Sequence, residues 1–259
     1  MDLGLAGRTA LVSGASRGMG RAIALQLARE GAAVAMVARG EPALLAAAGA
    51  IEAETGAQIT TVVADITTVS GRAAVLAACP APDILVTNAS GPPPRDVREL
   101  GRADWIAAID AWMLTPIALM QATLDGMIAR RFGRIVNIVS RSVKIAQPEM
   151  PLSNGARSGL VGFTAGLSRQ VARHNVTINN LLPGIFATET QRRHVAQLAA
   201  EAGRRFEDVW AEREAENPSG RYGEPFEIAA YCAFLCSAQA GFVTGQNLLV
   251  DGGSYPGTY

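Results

Sequence analysis

A chain of 259 residues, 49% hydrophobic, 18% charged and 5% aromatic, is large enough to bury one sizeable α/β core. Its 23 basic residues balance 23 acidic ones, which excludes the global basic excess of a duplex-binding protein, and nil net charge with high apolar content argues against disorder. Three cysteines, Cys79, Cys232 and Cys236, are too few for a disulfide framework. The i,i+4 pair Cys232 and Cys236 reads as buried core, metal ligation being the remote alternative for want of a nearby His or third Cys. The N-terminus shows no basic stretch followed by an apolar one, and the charge-free run 228–250 is broken by Ser237, Gln239, Gly241 and Thr244. A cytoplasmic protein is expected, with neither a membrane nor a nucleic acid as partner.

In chain order, Thr9–Ser13, Ala33–Ala38, Ile59–Val63, Ile84–Thr87, 134–139, 176–182 and Asn247–Val250 are short apolar runs that predict buried strands. Between them, 21–29, 42–54, 103–131 and 155–173 carry helical patterns. Alternation at this spacing predicts a doubly wound parallel sheet with helices on both faces. Two segments depart from the rhythm. Asn88 to Arg95 contains three consecutive prolines, which force extended backbone. The stretch 188–218 inserts two amphipathic helices joined near Gly203, a helical lid on what is otherwise one domain over 1–259.

The first strand runs into Ser13-Gly14-Ala15-Ser16-Arg17-Gly18-Met19-Gly20, and a helix follows. Glycines there permit a tight turn and bring backbone N–H groups and the helix N-terminus to a pyrophosphate. Glycine-rich turns also serve plain packing, but this one follows a strand, precedes a helix and opens the chain, which favours dinucleotide binding. At the end of the second strand an acid would bind the ribose 2′-hydroxyl of NAD, yet the sequence has Ala38-Arg39, with Arg17 as a second candidate. Guanidinium groups suit a 2′-phosphate, so NADP(H) is the expected cofactor; two solvated arginines are the alternative.

These residues resemble the short-chain dehydrogenase/reductase family over essentially the whole chain, most closely its 3-oxoacyl-[acyl-carrier protein] reductase-like group. SGASRGMG is similar to the family's TGxxxGxG fingerprint, and Asp65-Ile66 to its adenine-contacting pair. Thr87-Asn88-Ala89-Ser90 resembles NNAG imperfectly. Asn179 with Pro183-Gly184-Ile185 and Thr188 resembles the segment that holds the nicotinamide carboxamide, and Val250-Asp251-Gly252-Gly253 the C-terminal strand. The resemblance implies a Rossmann-type seven-stranded parallel sheet, NADP(H), hydride transfer between nicotinamide and a carbonyl or alcohol, and a homotetramer or homodimer associating through the helices at 103–131 and 153–173.

The family's catalytic set is Asn, Ser, Tyr and Lys, the last two as YxxxK. Ser140 matches the Ser, but Ser153 falls at the Tyr position, Arg157 at the Lys position and Trp112 at the Asn position. No tyrosine precedes Tyr222, so no shifted alignment supplies one. Arg157 can still bind ribose hydroxyls, while Ser153 is short and a poor acid. Lysine occurs once, at Lys144, against 22 arginines, four residues after Ser140 and on the substrate side. The expected catalytic residues are therefore Ser140, Lys144, Ser153 and Arg157, with Lys144 as a non-standard proton donor, or alternatively a solvated loop lysine. Expected cofactor contacts are Gly14, Ser16, Arg17, Gly18, Met19, Gly20, Arg39, Asp65, Ile66, Asn88, Ala89, Arg157, Pro183, Gly184, Ile185 and Thr188; no metal is expected. His174 reads as a helix-end residue, and His194 joins Arg192 and Arg193 in a basic trio on the lid. The expected substrate is a small ketone, 3-oxoacyl-thioester-like or related. Two rival readings are a non-catalytic NADP(H) sensor and a non-redox lyase or dehydratase.

Overall fold

The computed structural model describes residues 1–89 and 95–258, so Ser90 and the three prolines of the 88–95 loop lie outside the described residues. Strands β1 (Thr9–Ser13), β2 (Ala33–Ala38), β3 (Ile59–Val63), β4 (Ile84–Thr87), β5 (Gly133–Ile138), β6 (Val176–Pro183) and β7 (Asn247–Val250) form one sheet in the order β3-β2-β1-β4-β5-β6-β7. Every pairing is parallel. The apolar runs are continuous because successive side chains point to opposite faces and both faces are covered. Thus Ala10, Val12, Val86 and Val136 enter one core, and Leu11, Leu85 and Ile135 the other.

The first core is closed by α1 (Gly18–Arg29), α2 (Glu41–Thr55) and α9 (Pro225–Cys236) through Ile23, Leu27, Leu44, Ile51, Ile228 and Leu235. Cys232 and Cys236 are part of that core, as expected, and all three cysteines are free and buried. The second core is closed by α3 (Val69–Ala78), α5 (Thr115–Arg130) and α6 (Pro151–Val171) through Val75, Leu119, Met127 and Leu160.

The pattern over 103–131 predicts one helix, and the structure corrects this. Helix α4 (Arg102–Ile109) passes into a π-helical turn, Asp110–Leu114, before α5 begins. The Thr115 N–H donates to the carbonyl of Asp110, five residues back. Pro116 explains the wide turn: it has no N–H, and its ring would clash with the carbonyl four residues earlier, that of Trp112. By length and composition alone 102–130 passes for a membrane span, with mean hydropathy 1.3, but Leu119, Met120 and Met127 are core residues. The remaining elements fall within a few residues of expectation. The lid is α7 (Glu189–Glu201) and α8 (Phe206–Ala215), and Gly203 between them takes φ +61.

Strand order reverses direction between β1 and β4, and in an open α/β sheet the crevice outside the carboxyl ends at that point receives the ligand. The glycine-rich turn, the end of β4 and the end of β5 all converge there.

Candidate active site

Ser13 ties the first loop to the fourth strand. Its hydroxyl accepts from the Asn88 N–H (2.9 Å) and donates to the Asn88 carbonyl (3.0 Å), while Asn88 Nδ2 reaches the Gly14 carbonyl at 3.4 Å. A Cβ on Gly20 would lie 2.2 Å from the Gly14 carbonyl oxygen, so the loop closes only with glycine there. Gly14 and Gly18 take φ +62 and +51; Ser16, between them, and Met19, in the first turn of α1, are half-buried. No side chain caps α1, leaving its first N–H groups for an anion.

Of the two candidate arginines, Arg39 is 71% exposed at the end of β2, with its nearest carboxylate, Asp65, 3.9 Å away. Arg17 instead donates to both carboxylate oxygens of Glu189, at 3.0 and 3.2 Å, at the first turn of the lid. Asp65 accepts from the backbone N–H and the hydroxyl of Thr67, and these bonds lower its pKa. Ile66, Asn88, Ala89 and Arg157 come together in one cleft, open to solvent, with Ser13, Thr87, Ile138 and Trp112.

Ser140 lies just beyond β5 rather than ending it, and caps a 3-10 turn, Arg141–Val143, by accepting from the Ser142 N–H at 3.1 Å. Ser153, in the first turn of α6, is 2% exposed, and its hydroxyl pairs with that of Ser142 at 3.1 Å. Arg157, one turn further on, donates to the carbonyls of Ile138 (3.2 Å) and Val139, and lies 4.8 Å from the Trp112 ring centroid. Burial lowers its pKa to about 10, below the range above 12 expected of an arginine, yet it remains cationic at neutral pH. Arg157 Nε and Trp112 Nε1 are both buried without a hydrogen-bond partner. Lys144 closes the 3-10 turn, half-buried, its ammonium 5.4 Å from the centroid of the Tyr255 ring.

Beyond β6, the Gly184 N–H donates to the Val250 carbonyl, and the Ile185 carbonyl accepts from Gly223. Thr188 caps α7 and its methyl rests against Gly18, so Pro183 through Thr188 hangs over the first loop. Asn179 differs: its side chain bridges Val243 and Gln246 and stitches β6 to the turn before β7.

The lid has a small core of its own, Val195, Ala199 and Val209 with Phe206 and Trp210. Trp210 stacks on Tyr222, centroids 3.8 Å apart. The expected basic trio does not hold together. Arg192 covers the Trp210 ring and Arg193 is exposed, but His194 turns inward, where burial and Arg213 lower its pKa. An inward-facing position is not distinguishable from its neighbours when the helix partner, α8, is twenty residues away.

Comparison with known proteins turns on this geometry. The sequence family described as enoyl-(acyl carrier protein) reductase matches residues 14–255. Gluconate 5-dehydrogenase of Gluconobacter oxydans (strain 621H) is 36% identical over 253 residues, covering 96% of this chain and 95% of that enzyme. The 3-oxoacyl-[acyl-carrier-protein] reductase of Vibrio harveyi is 35% identical over 256 residues, covering 98% and 99%. The chain belongs to the short-chain dehydrogenase/reductase family. Among solved structures, L-sorbose reductase from Gluconobacter frateurii, complexed with NADPH and L-sorbose, superposes with TM-score 0.94 at 28% identity, covering 99% of this chain and 100% of that one.

Membership in this oxidoreductase family gives the unusual positions their meaning. At the place where the sequence resemblance puts the family's tyrosine, the Ser153 hydroxyl is buried against Ser142. Where it puts the lysine, the Arg157 guanidinium is held by two backbone carbonyls and faces an indole. The sequence singles out Ser153 and Arg157 but not Ser142, whose contact with Ser153 depends on the turn that Ser140 caps. It also misses the approach of Tyr255 to Lys144, since 111 residues separate the two.

Proposed function

We propose that this protein is an NADP(H)-dependent reductase of a small ketone, 3-oxoacyl-thioester-like or related, with Ser140 in the family's serine role and Lys144 as a non-standard proton donor in place of the tyrosine. The observation that carries this reading is the pair of buried, unpartnered donors, Arg157 Nε and Trp112 Nε1, in and beside the cleft lined by Asn88 and Ala89. Buried N–H groups without acceptors cost free energy, and ribose hydroxyls would satisfy them. Gly14, Ser16, Gly18, Met19 and Gly20 would receive the pyrophosphate at the start of α1, and Arg39 the 2′-phosphate. Asp65 and Ile66 would border the adenine, and Pro183, Gly184, Ile185 and Thr188 the nicotinamide. Structures of relatives with NADPH support the choice of cofactor.

The nicotinamide, when bound, supplies a hydride to the carbonyl carbon. Ser140 Oγ already accepts from the Ser142 N–H, so its own proton is available to the carbonyl oxygen. Ser153 keeps Ser142, and through it the turn, in place. Lys144, at the far end of that turn, gives the alkoxide its proton directly or through one water, a step worth about 10²–10⁴-fold in rate. We further assign the protein to the cytoplasm, in keeping with its free cysteines, and to a homo-oligomer formed through α4, α5 and α6.

The test is NADPH oxidation across a panel of ketones, with Lys144→Met assayed beside the native chain. Turnover lost with cofactor affinity intact is the expected result. Unchanged turnover removes Lys144 from the mechanism, and cofactor binding with no turnover of any carbonyl replaces the reductase reading with that of a sensor.

A further inference from the structure

The 3-10 turn between Ser140 and Lys144 is tied to the end of the chain. Its Arg141 donates to Ser254 Oγ at 2.8 Å, in the segment that follows β7. Ser254 itself donates to the Asp251 carbonyl at 2.8 Å. Asn217, 6% exposed just beyond α8, donates through Nδ2 to that carbonyl (3.0 Å) and to Ser254 Oγ (3.2 Å). The Asp251 carboxylate folds the segment on itself, accepting from the Gly253 and Tyr255 N–H groups at 3.1 and 3.0 Å. On the other side a Cβ on Gly184 would lie 2.8 Å from Asp251 Cα, so the segment also packs against the stretch after β6. Residues 251–255 therefore join three parts of the site: the turn that Ser140 caps, the exit of the lid, and the segment assigned to the nicotinamide.

That junction fixes where the Tyr255 ring stands. Lys144 ends the turn three residues after Arg141, and its ammonium lies over the half-buried ring, 5.4 Å from the centroid. Among the described residues no carboxylate pairs with Lys144, so the ring face is the group that meets its charge. The electron-rich face of an aromatic ring attracts an ammonium without accepting its protons in the way a carboxylate would. The N–H donors stay available to an alkoxide or a water. The Tyr255 hydroxyl is not the group presented to the lysine. A Cβ on Gly257 would come within 2.4 Å of that oxygen, which places the polar end of the phenol against the tail.

We propose that Tyr255 is a positioning residue for the reduction: its ring holds the Lys144 ammonium on the turn that Ser140 caps, and Ser254 and Asn217 hold the ring. A lysine stem is long and flexible, and a proton donor that wanders from its place slows the chemical step rather than weakening binding. The inference rests on the reading of Lys144 as proton donor and adds the part of the chain that aims it.

Two measurements test this. Lys144 is the only lysine of the chain, so protein grown on isotope-labelled lysine gives a single side-chain NMR signal. The ring current should displace that signal upfield in the native chain and in Tyr255→Phe, and Tyr255→Leu should return it to the position of a solvated lysine. NADPH oxidation is followed in the same proteins with ethyl acetoacetate, a 3-oxo ester, and with the wider ketone panel. Tyr255→Leu is expected to lower kcat about three- to tenfold with KM and NADPH affinity held, and Tyr255→Phe to keep the native kcat. A signal that stays put in Tyr255→Leu overturns the contact, and Tyr255→Phe as slow as Tyr255→Leu overturns the ring as the acting group. Turnover lost in Lys144→Met but unchanged in Tyr255→Leu removes this inference and leaves the proton donor standing. Turnover unchanged in Lys144→Met, or no ketone reduced at all, removes the donor and this inference together. If Tyr255→Leu fails to fold, Gly257→Ala, whose added Cβ pushes the ring aside, carries the same expectations.

Discussion

Arg134 is 1% exposed, and its guanidinium donates to the carbonyls of Gly133, Asn175 and Ser237 at 2.9 Å and to the Asn175 side chain at 3.2 Å. It also faces the Phe132 ring at 4.3 Å. Its partners are all carbonyl oxygens, so Arg134→Met would leave several buried acceptors unmet and cost about 3 kcal/mol, read as a lower urea midpoint at constant slope. Glu227 is half-buried. Arg221 grips it with two bonds of 2.7 Å and the Glu224 N–H adds a third, which lowers its pKa from 4.5 to about 2. A depressed carboxyl pKa stabilises fully above the unfolded value, and that stabilisation fades as pH falls from about 4.5 towards 2. After solvent screening the contribution is about 1 kcal/mol, so Glu227→Gln should flatten the acid limb of a stability-against-pH curve by that amount. At the cofactor site, Arg39→Ala should erase a preference for NADPH over NADH of roughly ten- to a hundredfold, checked by fluorescence titration.

The lid helices bury few large side chains, and apart from the Thr188 contact with Gly18 they meet the body mainly through Trp210 on Tyr222 and the pair Arg17–Glu189. Amide hydrogen exchange in α7 and α8 should therefore run well ahead of that in β4, β5 and β6, and Trp210→Ala should widen the gap. Protection of the lid equal to that of the strands would refute this. Most of the strands were legible in sequence because a sheet buried on both faces leaves an unbroken apolar run, as in Ile84–Thr87, where every residue is buried. The glycine-rich turn was equally legible, since close backbone approach admits only glycine at Gly20. The π-helical turn was not: the 3.6-residue pattern continues across it, and a lone proline inside a helix is compatible with a kink, a stop or a widened turn. Arg17 is expected from sequence to face the cofactor, and its pairing with Glu189, 172 residues away, is one that no local pattern announces.

At the scale of the molecule, anything that binds the folded chain alone raises its melting temperature. NADPH at about a hundred times its dissociation constant should add roughly 2.7 kcal/mol, NADH at the same concentration distinctly less, and a thermal shift assay reads the difference. The strand order has a further consequence, for how the molecule comes to exist. Every pair of neighbours is parallel, so no hairpin can start the sheet, and β1 must wait for β4, whose Ile84 pairs with Ala10 across 74 positions of chain. Until β4 arrives, the β1 flank of the β1–β2 pair is a bare edge of TALVS, apolar and ready to pair with another molecule. Non-local pairing of this kind makes folding slow, and slow folding lengthens the time that edge is offered. Refolding from urea should accordingly give yields that drop steeply as protein concentration rises, with light scattering appearing in the same window. On the far side of β4, β5, β6 and β7 lie in chain order, each covering the edge of the one before.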